Sequence, residues 1–135
     1  YKMKKKGKGL SCVVSEEEFR LLKQSVTELA AKMGNNQLET YSVSLLFLEM
    51  EYGIESFDKI FAAFLRYTSE RHSDDMNADD LKVLIDKYNE SNHEISDFMK
   101  NKIIIGFATN YIPSLGELAN ELQTDMICNG IKVED

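Results

Sequence analysis

Residues Lys2 to Glu18 read KMKKKGKGLSCVVSEEE, and the fold predicted from the sequence depends on this stretch. It opens with a basic arm, which consists of Lys2, Lys4, Lys5, Lys6 and Lys8. The alternating apolar run from Leu10 to Val14 follows and predicts one short β-strand. Ser15 and Glu18 then have the spacing of a capping box, which predicts that a helix begins directly after the strand.

The charge of the chain is unevenly distributed. The 135 residues include 16 basic and 23 acidic side chains, which gives a net charge of -7. Five of the 16 basic residues lie in the basic arm, which leaves 11 against 23 acidic residues elsewhere and a net charge of -12 there. Because an acidic surface repels phosphates, we expect any contact with nucleic acid to be made by the basic arm.

Two helices are predicted after the strand. The first carries apolar residues at helical spacing from Phe19 to Met33 and ends at Gly34. The second is capped by Thr40 and is apolar on nearly every side until Gly53, so it must be buried on several sides. The composition changes near Gly53, and we place a module boundary there, between residues 1–53 and 54–135.

The second module, residues 54–135, is predicted to be entirely helical. Its helices show apolar residues on one face, and polar residues with capping potential lie between them. The third helix is placed near Ser56–Glu70, the fourth begins near Asp74–Asn77, the fifth opens with a capping box of Ser91 and Glu94, and the sixth opens with one of Ser114 and Glu117.

The predicted strand has no evident mate within the chain. A single strand leaves its backbone donors and acceptors unpaired, so we expect it to pair antiparallel with its copy in a second subunit. Leu10, Cys12 and Val14 would then face the helices, whereas Ser11 and Val13 would face outward. A two-stranded ribbon of this kind fits the major groove of DNA. The apolar second helix would form the dimer core.

This order of parts, from about Lys6 to Gly53, resembles the ribbon-helix-helix family of DNA-binding proteins. The layout is closest to the TraM-like relaxosome accessory proteins of conjugative plasmids. The resemblance implies that Gly34 and Asn35 form the turn between the helices, and that a DNA phosphate binds at the start of the second helix. The predicted DNA contacts are Lys4, Lys5, Lys6, Lys8, Ser11, Val13, Thr40 and Ser42.

The sequence therefore predicts a mainly α protein with an N-terminal ribbon-helix-helix module. We expect a cytoplasmic, dimeric or larger homo-oligomeric DNA-binding protein that acts in transcription regulation or plasmid conjugation, and no membrane association. Residues 54–135 would oligomerise or bind another protein. The alternative is an acidic, all-helical assembly factor or chaperone that binds proteins and not DNA.

Catalysis, cofactors and metal ions are not expected. His72 and His93 lie in polar segments without a second ligand at a suitable spacing, and the chain has none of the common nucleophile or phosphate-binding motifs. The segment from Asn89 to Ile95 faintly resembles a calcium loop, but it lacks the glycine at the bend and the bidentate glutamate. Cys12 and Cys128 are far apart and are expected to be free thiols.

Overall fold

The computed structural model describes residues 14–35 and 41–134, with side chains as far as Cys128. These residues form six α-helices: α1 (Glu16–Lys32), α2 (Val43–Met50), α3 (Ile54–Ser69), α4 (Ala78–Tyr88), α5 (Asp97–Asn110) and α6 (Gly116–Glu134). Two short 3-10 helices, Ser73–Asp75 and Pro113–Leu115, precede α4 and α6. None of the described helices is both long enough and apolar enough to cross a membrane.

The core is built around α5. Ile103, Ile104 and Phe107 of this helix are fully buried, because α2, α4 and α6 all pack against it. The ring of Phe107 is surrounded by aromatic rings of α2 and α3, with centroid separations from 5.3 to 6.1 Å; these rings belong to Phe47, Phe57, Phe61 and Phe64. Buried residues on both sides of Gly53 belong to this one apolar core.

The predicted start of α1 is confirmed. The hydroxyl of Ser15 accepts a hydrogen bond from the Glu18 N–H at 3.1 Å, and the Glu18 carboxylate accepts one from the Ser15 N–H at 3.2 Å. Both halves of the capping box are therefore formed, and they satisfy two backbone donors that the first turn leaves open.

The prediction of a ribbon-helix-helix module is wrong. Residues 14–35 and 41–134 contain helices and turns but no β-strand. Val14, the last residue of the predicted strand, lies in irregular backbone, and its side chain is 53% exposed where we expected it to face the helices. Residues 10–13 of that strand lie outside the described residues.

The apolar character of α2 has another explanation than a dimer core. Its side chains Val43, Leu46 and Phe47 are buried within the chain, because α3 and α5 cover them. A second subunit is not needed to bury α2. The prediction that α2 forms a dimer core therefore loses its support.

Two helix starts also differ from their predictions. The α2 helix is capped by Ser42 and not by Thr40, which lies outside the described residues. The α5 helix is capped by Ser96, whose hydroxyl accepts from the Met99 N–H at 3.2 Å. Ser91 instead donates to the Asn89 side-chain oxygen at 2.6 Å within a loop, because the chain buries Ile95 before the helix begins.

Candidate protein-binding surface

The first helix carries an apolar stripe that the rest of the described chain leaves uncovered. Its residues are alternately three and four positions apart, which places them on one helix face in the pattern of a coiled-coil seam. The exposed fractions of their side chains are 47, 59, 38, 62 and 70% for Phe19, Leu22, Val26, Leu29 and Met33. We call these five residues the apolar stripe.

Apolar residues that are singly exposed are common on protein surfaces, but a continuous row of large ones is not. Ala30 is the single buried residue of α1. The helix therefore gains little from burying its own side chains, and the other described residues leave its apolar face largely exposed.

Contacts at the C-terminal half of α1 hold the helix against α2. The hydroxyl of Thr27 lies 3.2 Å from the Glu49 carboxylate and 2.9 Å from the Lys23 carbonyl, and these two acceptors share its single hydrogen. Beyond the helix, the Tyr41 N–H donates to the Asn35 side-chain oxygen at 2.7 Å. Gly34, directly before Asn35, has a φ of +106°. A Cβ atom at Gly34 would come within 3.1 Å of the Tyr41 ring. Glycine is thus required both by the left-handed backbone and by the close approach of the ring.

A groove separates the N-terminal half of α1 from the junction of α2 and α3. Its volume is about 540 Å³, and Phe19 and Lys23 form its α1 wall. The opposite wall is mostly apolar and consists of Ser44, Phe47, Leu48, Glu51, Gly53, Ile54 and Phe57. Ile54 is 70% exposed, so this wall also presents apolar surface to solvent. Phe19 belongs to both the groove and the apolar stripe, which joins them into one surface.

Charged residues flank the apolar stripe. Three glutamates, Glu16 to Glu18, occupy the first turn of α1, and Lys32 occupies the last turn. This arrangement is favourable for the helix dipole, which is positive at the N-terminus and negative at the C-terminus. Glu18 and Lys32 are 14 residues apart and therefore lie on the same edge of the stripe.

Most of the predicted DNA contacts lie outside the described residues. These are Lys4, Lys5, Lys6, Lys8, Ser11, Val13 and Thr40. Ser42 is described, and its hydroxyl accepts from the Leu45 N–H at 3.1 Å. The neighbouring Val43 N–H donates to the Asn110 side-chain oxygen at 2.7 Å. Backbone donors at the start of α2 are thus already bonded within the chain.

The described part of the chain offers no grouping typical of a metal site. No three His, Cys, Asp or Glu side chains come together there in a way that could hold an ion. His72 and His93 are both exposed, as is the free thiol of Cys128.

The sequence predicted a first helix with apolar residues at helical spacing from Phe19 to Met33, but this spacing was not interpreted as a binding surface. The available signal was their strict alternation of three and four residues, which is the spacing of a helix that pairs with another helix. Comparisons with protein-family models, with curated proteins and with solved structures gave no match to this chain.

Proposed function

We propose that this protein is a helical protein-binding module that uses the apolar stripe to bind an amphipathic helix. The observation that carries the proposal is the exposure of five large apolar side chains in a row on α1, from 38% at Val26 to 70% at Met33. Among the functions that the sequence suggested, this corresponds to the acidic, all-helical assembly factor.

The surface has the features of helix recognition. Partner helices are typically bound through anchors that recur at three, four and seven residues, and the apolar stripe has this spacing. The adjoining groove offers about 540 Å³ next to Phe19, so a large side chain at one end of the partner helix would be accommodated between α1 and α3. Binding would remove the exposed apolar surface from water, which supplies the driving force.

A selection from displayed amphipathic helices tests this proposal. We expect helices with an apolar seam to bind the intact chain, and we expect Leu22→Glu or Leu29→Glu to weaken the binding at least tenfold, since burial of one leucine contributes roughly 1.5–3 kcal/mol. Leu21→Glu is the matched control. Leu21 is 65% exposed and Leu22 is 59% exposed, but Leu21 lies on a different face of the helix. Equal loss in the Leu21 and Leu22 variants, or no bound helix at all, would contradict the proposal.

The basic arm supports a second candidate function, which is binding to nucleic-acid phosphates. Five of the 16 basic residues lie in the first eight positions of an otherwise acidic chain. Lysines that contact phosphates fix position without reading sequence, and their contribution weakens steeply as salt is raised. This proposal requires no β-ribbon.

A gel-shift titration at about 50 and 200 mM salt tests the second candidate. We expect duplex DNA to bind at the lower salt concentration and to be released at the higher one. Replacing Lys4, Lys5, Lys6 and Lys8 by glutamine should abolish the shift and leave the binding of selected helices unchanged. A shift that survives these substitutions would contradict the role of the arm.

A further inference from the structure

We infer that the helix that covers the apolar stripe is α1 of a second copy of this chain, lying antiparallel to the first. This inference rests on the proposed function, because it names the partner of the same surface. Two observations support the inference. The apolar stripes of two antiparallel copies place apolar side chains opposite one another, and opposite charges meet along one edge of the stripe.

The apolar stripe is complementary to itself when two copies run in opposite directions. In the register that centres the pair between Leu22 and Val26, Leu22 of one copy meets Val26 of the other. Phe19 then meets Leu29 of the second copy, and the two-fold symmetry repeats both contacts. Each of these layers therefore contains two large apolar side chains and no charged residue, and Met33 lies beyond the last of them.

The same register brings opposite charges together. Glu18 lies at the N-terminal end of the stripe edge and Lys32 at its C-terminal end, and both side chains are exposed. In an antiparallel pair Glu18 of each copy is adjacent to Lys32 of the other, so two such pairs form. The opposed helix dipoles add to this attraction, because the acidic first turn of one helix lies beside the last turn of its neighbour.

A parallel pair would lack these advantages. It would place the glutamates of the two first turns, Glu16 to Glu18 of each copy, side by side. In a parallel coiled coil Glu18 would need Lys23 of the second copy as its partner. Lys23, however, lines the groove between α1 and α2 on the other edge of the stripe. The charges therefore favour the antiparallel arrangement.

The dimer is expected to be weak. The 17 residues of α1 span about 25 Å, which provides only a small interface, so we expect a dissociation constant on the order of micromolar. The contacts of Thr27 with Glu49 and of Asn35 with Tyr41 hold α1 in place in each copy, which lowers the ordering cost of pairing.

Sedimentation equilibrium of the full chain over a range of concentrations tests the dimer. We expect Leu22→Glu to raise the dissociation constant about 100-fold, because the substitution occurs twice in the interface, and we expect Leu21→Glu to leave it nearly unchanged. A chain that stays monomeric throughout would overturn the inference, as would a dimer that persists in the Leu22→Glu variant.

Charge exchange tests the direction of the helices. Glu18→Lys and Lys32→Glu should each weaken the dimer roughly threefold to tenfold, since each puts like charges together at both ends. A mixture of the two variants should form a mixed dimer that is tighter than the dimer of either variant alone but weaker than the original, because Glu18→Lys also removes the capping-box acceptor of the Ser15 N–H. Glu17→Lys changes the charge equally on the side of α1 away from the stripe and should have little effect. If the Lys32→Glu variant dimerises normally or the mixture fails to pair, the antiparallel register is wrong.

Helix binding and dimerisation can be tested separately. A monomeric chain that still binds selected helices through Leu22 and Leu29 would retain the protein-binding function and exclude the second copy as its partner. A monomeric chain that binds no helix would overturn both.

Discussion

The side chain of Asn110 caps α2 at Val43. The Asn110 oxygen accepts a hydrogen bond from the Val43 N–H at 2.7 Å, and the Asn110 NH₂ group donates to the Tyr41 carbonyl at 2.8 Å. The last residue of α5 thus satisfies a backbone donor at the start of α2, 67 residues away in sequence. Because Tyr41 also bonds to Asn35, this bridge fixes the connection between α1 and the core.

Asn110→Ala is expected to destabilise the fold by about 1–3 kcal/mol, because the part-buried Val43 N–H loses its acceptor and the exposed Tyr41 carbonyl loses its donor. Asn110→Asp should recover part of this loss, since the carboxylate still accepts from the Val43 N–H at the start of α2 but cannot donate to the Tyr41 carbonyl. Urea unfolding of the two variants and the parent protein measures both effects. If the alanine variant is as stable as the parent protein, the Asn110 bridge contributes nothing.

Local sequence patterns predicted the starts of α1 and α4 but not that of α5. The capping box of Ser15 and Glu18 is present, and α4 begins directly after Asn77, although Asp74 and Asp75 lie in a separate 3-10 helix before it. The pattern of Ser91 and Glu94 was misleading, since burial of Ile95 delays α5 until Asp97. The bridge from Asn110 to Val43 has no local signal in the sequence.

The apolar stripe could likewise be predicted only in part from the sequence. Helical spacing correctly placed Phe19, Leu22 and Met33 on one face of α1, but spacing alone does not state what covers that face. The alternation from Leu10 to Val14 suggested a strand, and the apolar α2 then suggested a dimer core. The structure removes the second reason, because α3 and α5 bury Phe47 and its neighbours within one chain.

Tyr67 joins α3 to the start of α4 through its hydroxyl group. The hydroxyl donates to the Asp80 carboxylate at 2.7 Å and accepts from the Asn77 N–H at 3.1 Å, and Tyr67 is only 5% exposed. Burial raises the pKa of Tyr67. Tyr67→Phe should therefore lower the free energy of unfolding by about 1–3 kcal/mol, because Asn77 and Asp80 lose a buried partner.

Tyr111→Phe is the control for this prediction. Tyr111 is 49% exposed, so the loss of its hydroxyl should change stability by less than about 0.5 kcal/mol. Equal effects of the two substitutions in thermal or urea unfolding would show that the hydrogen bonds of Tyr67 are not responsible.

Lys102 is expected to make stability depend on pH in the alkaline range. Desolvation lowers the pKa of its ammonium group below 10.5, and the nearby Glu49 only partly opposes this shift. Below the folded-state pKa the folded protein bears the full cost of the buried charge. As the pH rises from the folded-state pKa toward 10.5, Lys102 loses its proton first in the folded state, and this cost is relieved.

Lys102→Met should therefore raise the free energy of unfolding at pH 7, and this gain should shrink as the pH approaches 10.5. Lys100→Met should have the opposite sign at pH 7, because Lys100 donates to the Asp86 carboxylate at 2.6 Å. Urea unfolding at neutral and alkaline pH compares the two variants. If the Lys102→Met variant is less stable than the parent protein at pH 7, or if its gain in stability grows with pH, the charge of Lys102 does not destabilise the fold.

The attachment of α1 to the core depends on Ala30, which is 8% exposed and is the single buried residue of that helix. Ala30→Glu forces a charge into the contact between α1 and its support, whereas Ala31→Glu places the same charge on the exposed side of the next position. The first substitution should release α1 without unfolding α3 to α6, because residues of α1 do not belong to the main apolar core. Hydrogen exchange should then show lost protection in α1 and unchanged protection in α5.

Because the apolar stripe needs α1 to be held in place, Ala30→Glu should also weaken helix binding, and Ala31→Glu should not. If both variants exchange alike, Ala30 does not anchor α1, and the stripe is displayed by some other contact.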